Sequence, residues 1–235
     1  MERMAIDILG PLPRSEEGYR YIALVVDYFT KWAEAIPLRN QEAPTVARAF
    51  VESVVLRLGA PATLHSDQGR NFQSSVFREM LALLEIKQTR TCAFRPQSDG
   101  LVERCNRTLE ALLATVVSKN QTDWCRKLPY AMAAYRSSVH ASTGVTPNAM
   151  MLGRETVAPL SVLYPEAPRL LEDEEGFIAD LQTRMETAHE YARENIGVAV
   201  SRQTRNYDSR AKGGEVPVGS TVYYYHPLKK IGLTP

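Results

Sequence analysis

Cysteine is scarce in this 235-residue chain, with Cys92, Cys105 and Cys125 the only three. An odd count without a Cys-x-x-Cys pair argues against both a disulfide framework and a zinc knuckle, so reduced thiols in an intracellular protein are expected. Histidine is also sparse, and neither His65 nor His140 has partners at metal-ligand spacing; local hydrogen bonding is expected of each. No stretch approaches the roughly 18 consecutive apolar residues of a membrane span, and no signal-peptide pattern opens the chain. A soluble protein made in the cytosol, with no membrane partner, is therefore expected. Charge of neither sign dominates, since the net value is +1. Its distribution says more: residues 1–155 carry 19 basic and 16 acidic groups, residues 156–201 carry 3 and 9, and residues 202–235 carry 6 and 2. An acidic stretch before a basic end suggests a solvated connector leading to a second nucleic-acid-facing element, with plain solvated surface as the alternative.

What the chain does contain is 44% apolar residues, enough for one well-buried domain and something smaller. Met4–Ile8 reads as a short buried strand ended by Gly10-Pro11, and Tyr21–Tyr28 and Ala33–Leu38 as two more. The near-continuous apolar run of Tyr21-Ile-Ala-Leu-Val-Val predicts a strand covered on both faces. Thr45 is the expected N-cap of a helix with Val46, Phe50, Val54 and Leu58 on one face, stopped by Gly59-Ala-Pro61. A strand over Ala62–Ser66 follows, then a helix over Gln73–Glu85 with Val76, Met80, Leu83 and Leu84 inward, then a strand over Ile86–Cys92. Further helices are expected over Leu101–Ser118, Asp123–Tyr135 and Thr146–Leu152, the last capped by Thr146 with Pro147 in its first turn. Three prolines in Pro159–Pro168 mark a boundary. Glu172 to about Arg210 is helix-rich, with a packing seam of Phe177, Leu181, Met185, Ala188, Ala192 and Ile196. Gly219–His226 reads as a strand.

Three carboxylates stand out by their surroundings: Asp7 in Met4-Ala-Ile-Asp-Ile-Leu-Gly-Pro, Asp67 in Leu64-His-Ser-Asp-Gln-Gly, and Glu103 in Gly100-Leu-Val-Glu-Arg-Cys-Asn-Arg. Each falls in a different kind of element, as two divalent cations engaged in phosphodiester chemistry require of their ligands. Thirty-five residues separate Asp67 from Glu103. Spacing alone decides little, since an acidic pair at this distance is expected by chance about three times in so acidic a chain. The flanking residues decide it.

Those flanks are Gly18-Tyr-Arg-Tyr-Ile-Ala-Leu-Val-Val-Asp-Tyr-Phe-Thr-Lys-Trp32, His65-Ser-Asp-Gln-Gly-Arg-Asn-Phe72, Arg95-Pro-Gln-Ser-Asp-Gly-Leu-Val-Glu-Arg-Cys-Asn-Arg-Thr-Leu109, His140-Ala-Ser-Thr-Gly-Val-Thr-Pro147 and Leu152-Gly-Arg154. In this order, over nearly the whole chain, they resemble the catalytic core of retroviral-type integrases, of the Ty3/gypsy class of LTR retrotransposons. The resemblance implies an α/β ribonuclease-H-like fold, a five-stranded mixed sheet flanked by helices, followed by a C-terminal helical extension and the start of a small β module. The implied domains are a core at 1–155, a linker at 156–171, the helical extension at 172–212 and a truncated β module at 213–235. It also implies a fragment without the N-terminal zinc domain that integrases of this class usually carry.

By the same resemblance, Asp7, Asp67 and Glu103 are the catalytic residues and the ligands of two Mg²⁺ ions, or of Mn²⁺ as a substitute, with Asp7 bridging. The implied activity is that of a strand transferase and endonuclease that trims retroelement DNA ends and joins them to target DNA. Asn106 and Arg107, at i+3 and i+4 from Glu103, share its helix face and are implied contacts to the element's DNA end. Arg70 and Asn71 are candidates for organising the site or touching the DNA backbone, and Gln97 and Ser98 for a loop over the DNA end. Glu110 departs from the basic residue often found in retroviral relatives. Asp27 is expected to be structural, Asp99 to shape a turn, and Trp32, Trp124 and tyrosines 223 to 225 to pack. The implied partners are DNA and further copies of the chain, with the nucleus as the site of action. The alternatives are a co-opted or inactive integrase-derived nucleic-acid-binding protein and, from a third class, a ribonuclease-H-type nuclease.

Overall fold

The computed structural model describes residues 1–90, 100–156, 174–209 and 219–221. The central strand is β1 (Arg3–Leu9), antiparallel to β2 (Tyr21–Asp27) and parallel to β4 (Thr63–Ser66). With β3 (Ala33–Leu38) and β5 (Lys87–Arg90) at the edges, the sheet runs β3-β2-β1-β4-β5. Both faces are covered, which explains the unbroken apolar run of β2. On one face Ala5, Ile22, Leu24 and Val26 meet α5 (Gly100–Val116) and α6 (Trp124–Ser137) through Val102, Cys105, Leu109, Leu128 and Met132. On the other, Met4, Ile6, Val25 and Leu64 meet α1 (Ala43–Phe50) and α4 (Ser75–Leu83) through Val46, Phe50, Phe77 and Leu81. Each large side chain buried there contributes roughly 1.5–3 kcal/mol. The mixed five-stranded sheet with flanking helices is the ribonuclease-H-like arrangement expected from the sequence.

Local details differ from the sequence expectation, each for a physical reason. Thr45 is not a cap: α1 starts at Ala43 with Pro44 in its first turn, where proline's missing N–H costs nothing. It continues through a π-helical stretch, Val51–Val55, into α2 (Leu56–Leu58). The helix expected over Gln73–Glu85 is α4, started two residues later because Ser74 caps it by accepting from Phe77 N–H, and a short helix that was not expected, α3 (Arg70–Gln73), precedes it. Of the expected inward residues, Met80 and Leu84 pack against the core beside the buried Phe77 and Leu81, whereas Val76 and Leu83 are exposed. Of the expected Gly219–His226 strand, only Gly219–Thr221 is described, as turn and coil, and tyrosines 223 to 225 lie outside the described residues. Pro159–Pro168 and Cys92 lie outside them too.

The edge strand β3 is held by an ion-pair network. Arg136 of α6 donates twice to the Ala33 carbonyl, pairs with Glu34 at 2.6 Å, and stacks on Trp32 with its Cζ 4.4 Å from the ring centroid. Trp32 in turn donates its indole N–H to Glu34 at 3.0 Å. Trp124 is buried likewise and donates to Pro13 O, fastening the β1–β2 loop to the start of α6.

The chain forms two compact units, Met1–Gly197 and Val198–Pro235. Within the first, the expected seam on α8 (Glu174–Asp208) packs inward: Ala192 is fully buried, His189 Nε2 is 2.9 Å from Met150 O, and Asn195 donates to Thr143 O. The exception is Phe177, which is exposed. Two glycines make the approach possible. A Cβ on Gly144 would lie 2.8 Å from Asn195 Nδ2, and one on Gly153, the left-handed C-cap of α7 (Pro147–Leu152), 2.6 Å from Leu181. Thr146 caps α7 as expected, accepting from Ala149 N–H. Among the described residues no helix is long and apolar enough to cross a membrane. In unit two, Val198, Val200 and Tyr207 of α8 are exposed.

Two outcomes follow from these contacts. Arg136→Met leaves Glu34 short of its principal partner, and urea unfolding is expected to show a loss of about 3 kcal/mol. The His140 imidazole is held down to about 4 by burial, reinforced by the positive charges of Lys31 and Arg104. Its folded value lies below its ordinary one, so its contribution to stability is full above about pH 6.5 and is lost as pH falls from there towards 4. His140→Gln should flatten the decline of the urea midpoint across that window.

Candidate metal and phosphodiester site

Side chains alternate along a strand, so the face of β1 that carries Ala5 also carries Asp7. In the parallel pairing of β1 with β4, Ala5 lies opposite His65 and Ile6 opposite Ser66. Asp67, immediately after β4, is therefore delivered beside Asp7 on the face that α5 covers. Glu103 stands in the first turn of α5. The three carboxylates line one cavity of about 150 Å³ together with His65, Val102 and Ala5. Asp7 is half-buried, while Asp67 and Glu103 are exposed.

Asp7 and Asp67 are held by hydrogen bonds from close neighbours and from α5. Asp7 Oδ1 accepts from Ile8 N–H at 2.8 Å and Oδ2 from the Asn106 amide at 2.7 Å. Asp67 Oδ1 accepts from Gly69 N–H at 2.8 Å, a side-chain turn that aims the carboxylate across the strand end. A Cβ at Gly69 would lie 2.9 Å from Asp67 Oδ1 and 2.7 Å from Asn71 Oδ1, so a larger residue there would have to displace both side chains. Three oxygen-donor side chains around a polar cavity suit a hard divalent cation. As the side chains stand, no group of three or more His, Cys, Asp or Glu among the described residues is drawn together closely enough to hold a metal ion. Coordination requires the carboxylates to turn towards one another from their present hydrogen bonds.

The other candidate residues separate clearly. Asn106 belongs to the carboxylate cluster itself, with its Nδ2 on Asp7 and its buried Oδ1 without a hydrogen-bond partner. Arg107 is exposed one turn beyond Glu103, Arg70 is exposed at the start of α3, and Asn71 is half-buried beside Gly69. Gln97, Ser98 and Asp99 lie outside the described residues. Asp27 does not join the site: its Oδ2 accepts from Thr30 N–H and Thr30 Oγ1, both at 2.7 Å, and shapes the β2–β3 turn. That turn places Lys31 at φ 62, with its ammonium buried against Tyr28 O and its pKa lowered to about 8 by desolvation. Cys105, behind Glu103 on α5, is pushed up to about 11 by burial and is an unreactive thiol. Glu110, two turns from Glu103, lines a separate apolar cavity of about 310 Å³ with Leu9, Leu113 and Trp124.

Sequence reasoning missed His65 as part of the cavity wall and Asn106 as the partner of Asp7. The signal for His65 was present, because a residue two before Asp67 on a strand shares its face.

Residues 1–96 match the family model of the integrase core domain, a span that includes Asp7 and Asp67. Over 221 residues, 94% of its length, the chain is 29% identical to the retrovirus-related Pol polyprotein from transposon 412 of Drosophila melanogaster, of which it spans 18%. It is 33% identical over 157 residues to the Gag-Pol polyprotein of avian reticuloendotheliosis virus, which is 65% of this chain and 12% of that one. It thus spans less than a fifth of either relative's length. Its fold is similar to that of the HTLV-2 integrase catalytic core domain solved in complex with magnesium in a trimeric form. That likeness has a TM-score of 0.51 at 20% identity and covers 64% of this chain and 95% of the other.

Gly69→Ala is expected to push Asp67 and Asn71 aside and lower stability by about 1 kcal/mol in urea titration. Gly100→Ala, with open space around its Cβ, serves as the neutral comparison.

Proposed function

Since this chain carries a retroviral-type integrase catalytic core, we propose that it is a polynucleotidyl transferase that trims retroelement DNA ends and joins them to target DNA. The observation that carries this reading is the convergence of Asp7, Asp67 and Glu103, from a strand, a strand end and a helix, on one cavity. These three residues would hold two divalent cations, Mg²⁺ or Mn²⁺. Bound there, the cations supply Lewis acidity for an in-line displacement at phosphorus.

The chain's own residues prepare that displacement. Asn106 and the Ile8 amide orient Asp7, the ligand closest to the sheet's centre. Gly69 N–H orients Asp67. Glu103, on a helix seated against the sheet by Val102 and Cys105, supplies the third carboxylate from the opposite wall. The exposed Arg107 and Arg70 are suited to phosphate oxygens of a DNA end, with Asn71, Gln97 and Ser98 as polar contacts around it. The magnesium complex of the HTLV-2 core supports the choice of cation, and its trimeric form supports assembly with further copies of this chain. Action on chromosomal target DNA places the work in the nucleus.

A disintegration assay on branched DNA with Mn²⁺ tests the proposal. The chain should resolve the branch, and Asp67→Asn should reduce the product to the level seen without protein. Product that is absent from the parent chain, or unchanged in Asp67→Asn, would leave the DNA-binding, non-catalytic reading in its place.

A further inference from the structure

The cavity of about 310 Å³ lies apart from the carboxylates, between the end of β1, the β1–β2 loop, the second half of α5 and the start of α6, and the proposed reaction gives it no role. Its walls are apolar: Leu9, Leu12, Leu113, Val117 and the buried ring of Trp124 line it. Those walls are fixed before any ligand arrives. The Trp124 indole donates to Pro13 O at 2.8 Å, Glu16 N–H donates to Thr122 O at 3.0 Å, and Glu16 pairs with Arg126, so the β1–β2 loop is fastened on both sides of Trp124. A preformed apolar cleft of this volume stands at the small end of the range that small molecules occupy, roughly 300–1,000 Å³.

Charge selects the ligand. Glu110 is the one ionisable side chain lining this cavity; it is exposed, so it stands at the mouth, and among the described residues it has no ion pair or hydrogen bond. Arg126, at the start of the neighbouring helix, is taken by Glu16 instead. An anionic ligand would be repelled there, and a neutral apolar one would leave the carboxylate without a partner. We propose that the cavity is a binding site for a small organic ammonium ion, whose apolar body rests on Trp124 and Leu113 and whose protonated amine meets Glu110. At about 30 Å³ per non-hydrogen atom, the volume admits a ligand of about ten such atoms, which suits a free small molecule and not a peptide segment. The inference stands independently of any reaction at Asp7, Asp67 and Glu103.

The chain has two tryptophans, Trp32 and Trp124, and their indole N–H signals in proton–nitrogen correlation spectra make the test. Trp124 belongs to the cavity wall, whereas Trp32 is held at the edge strand β3 by Glu34 and Arg136 and serves as the internal control. Phenethylammonium is the probe and 2-phenylethanol its neutral counterpart of nearly equal shape. Titration of the full chain with phenethylammonium should move the Trp124 signal with a Kd of about 1 mM or tighter and leave Trp32 in place. The alcohol should bind about threefold more weakly, and Glu110→Gln should remove that difference by weakening the ammonium alone. Ala114→Phe, which places a ring in the cavity from an exposed position, should abolish the movement while the Trp32 signal reports an intact fold. A Trp124 signal that stays still tenfold above that concentration, or equal movement of both indoles, overturns the site. Equal affinity for the alcohol and the ammonium in the parent chain, or an unchanged preference in Glu110→Gln, overturns the assigned ligand class. Binding retained in a folded Ala114→Phe overturns the location.

Discussion

The seating of α5 on the face of the sheet formed by Ala5, Leu24 and Val26 is the contact on which the rest of this structure depends. Val102, Cys105 and Leu109 make that contact, and Glu103 and Asn106 are placed by it. If the helix slid along the sheet by one turn, about 5.4 Å, the Asn106 amide would leave Asp7 and the third wall of the cavity would be lost. Apolar burial therefore governs a polar site. The carboxylates cannot hold the helix in place themselves, because like charges brought together in a cavity repel until a cation joins them.

The site is accordingly built from the outside inwards. The Tyr135 hydroxyl donating to Lys31 O in the turn that Asp27 shapes, the Arg136–Glu34 pair and the indole of Trp124 fasten loops and edges to α6, and α6 packs beside α5 against the same face. Farther out, α8 lies against Gly144 and Gly153, both at positive φ and both without room for a Cβ. Much of the His140–Pro147 and Leu152–Arg154 sequence thus makes sense as the landing surface for a helix. At the centre, hydrogen bonds from Ile8, Asn106 and Gly69 hold Asp7 and Asp67.

Much of this was legible in the sequence because strands and helices write their burial into a period. The apolar run of β2 announced a strand covered twice, and Thr146-Pro147 announced the start of α7. The inward face of α4 was read only in part: Met80 and Leu84 do pack on the core, but the stripe is centred about one residue, or 100°, round on Phe77 and Leu81, a choice made by the elements they meet. Asn106 was placed correctly on the face of Glu103, but its partner was Asp7, 99 residues earlier in the chain. No local pattern could have supplied that pairing.

The sequence by itself singled out Asp7, Asp67 and Glu103 as candidates, because carboxylates within distinctive flanks are a property of residue type and order. It also determined most of the element order, since periodicity is local. Only the tertiary structure decided that Asp7, Asp67 and Glu103 share a cavity, that His65 lies in its wall, and that Asp27 does not. Those facts depend on strand register and on the packing of one helix across a sheet, which are set by contacts between segments far apart in the chain.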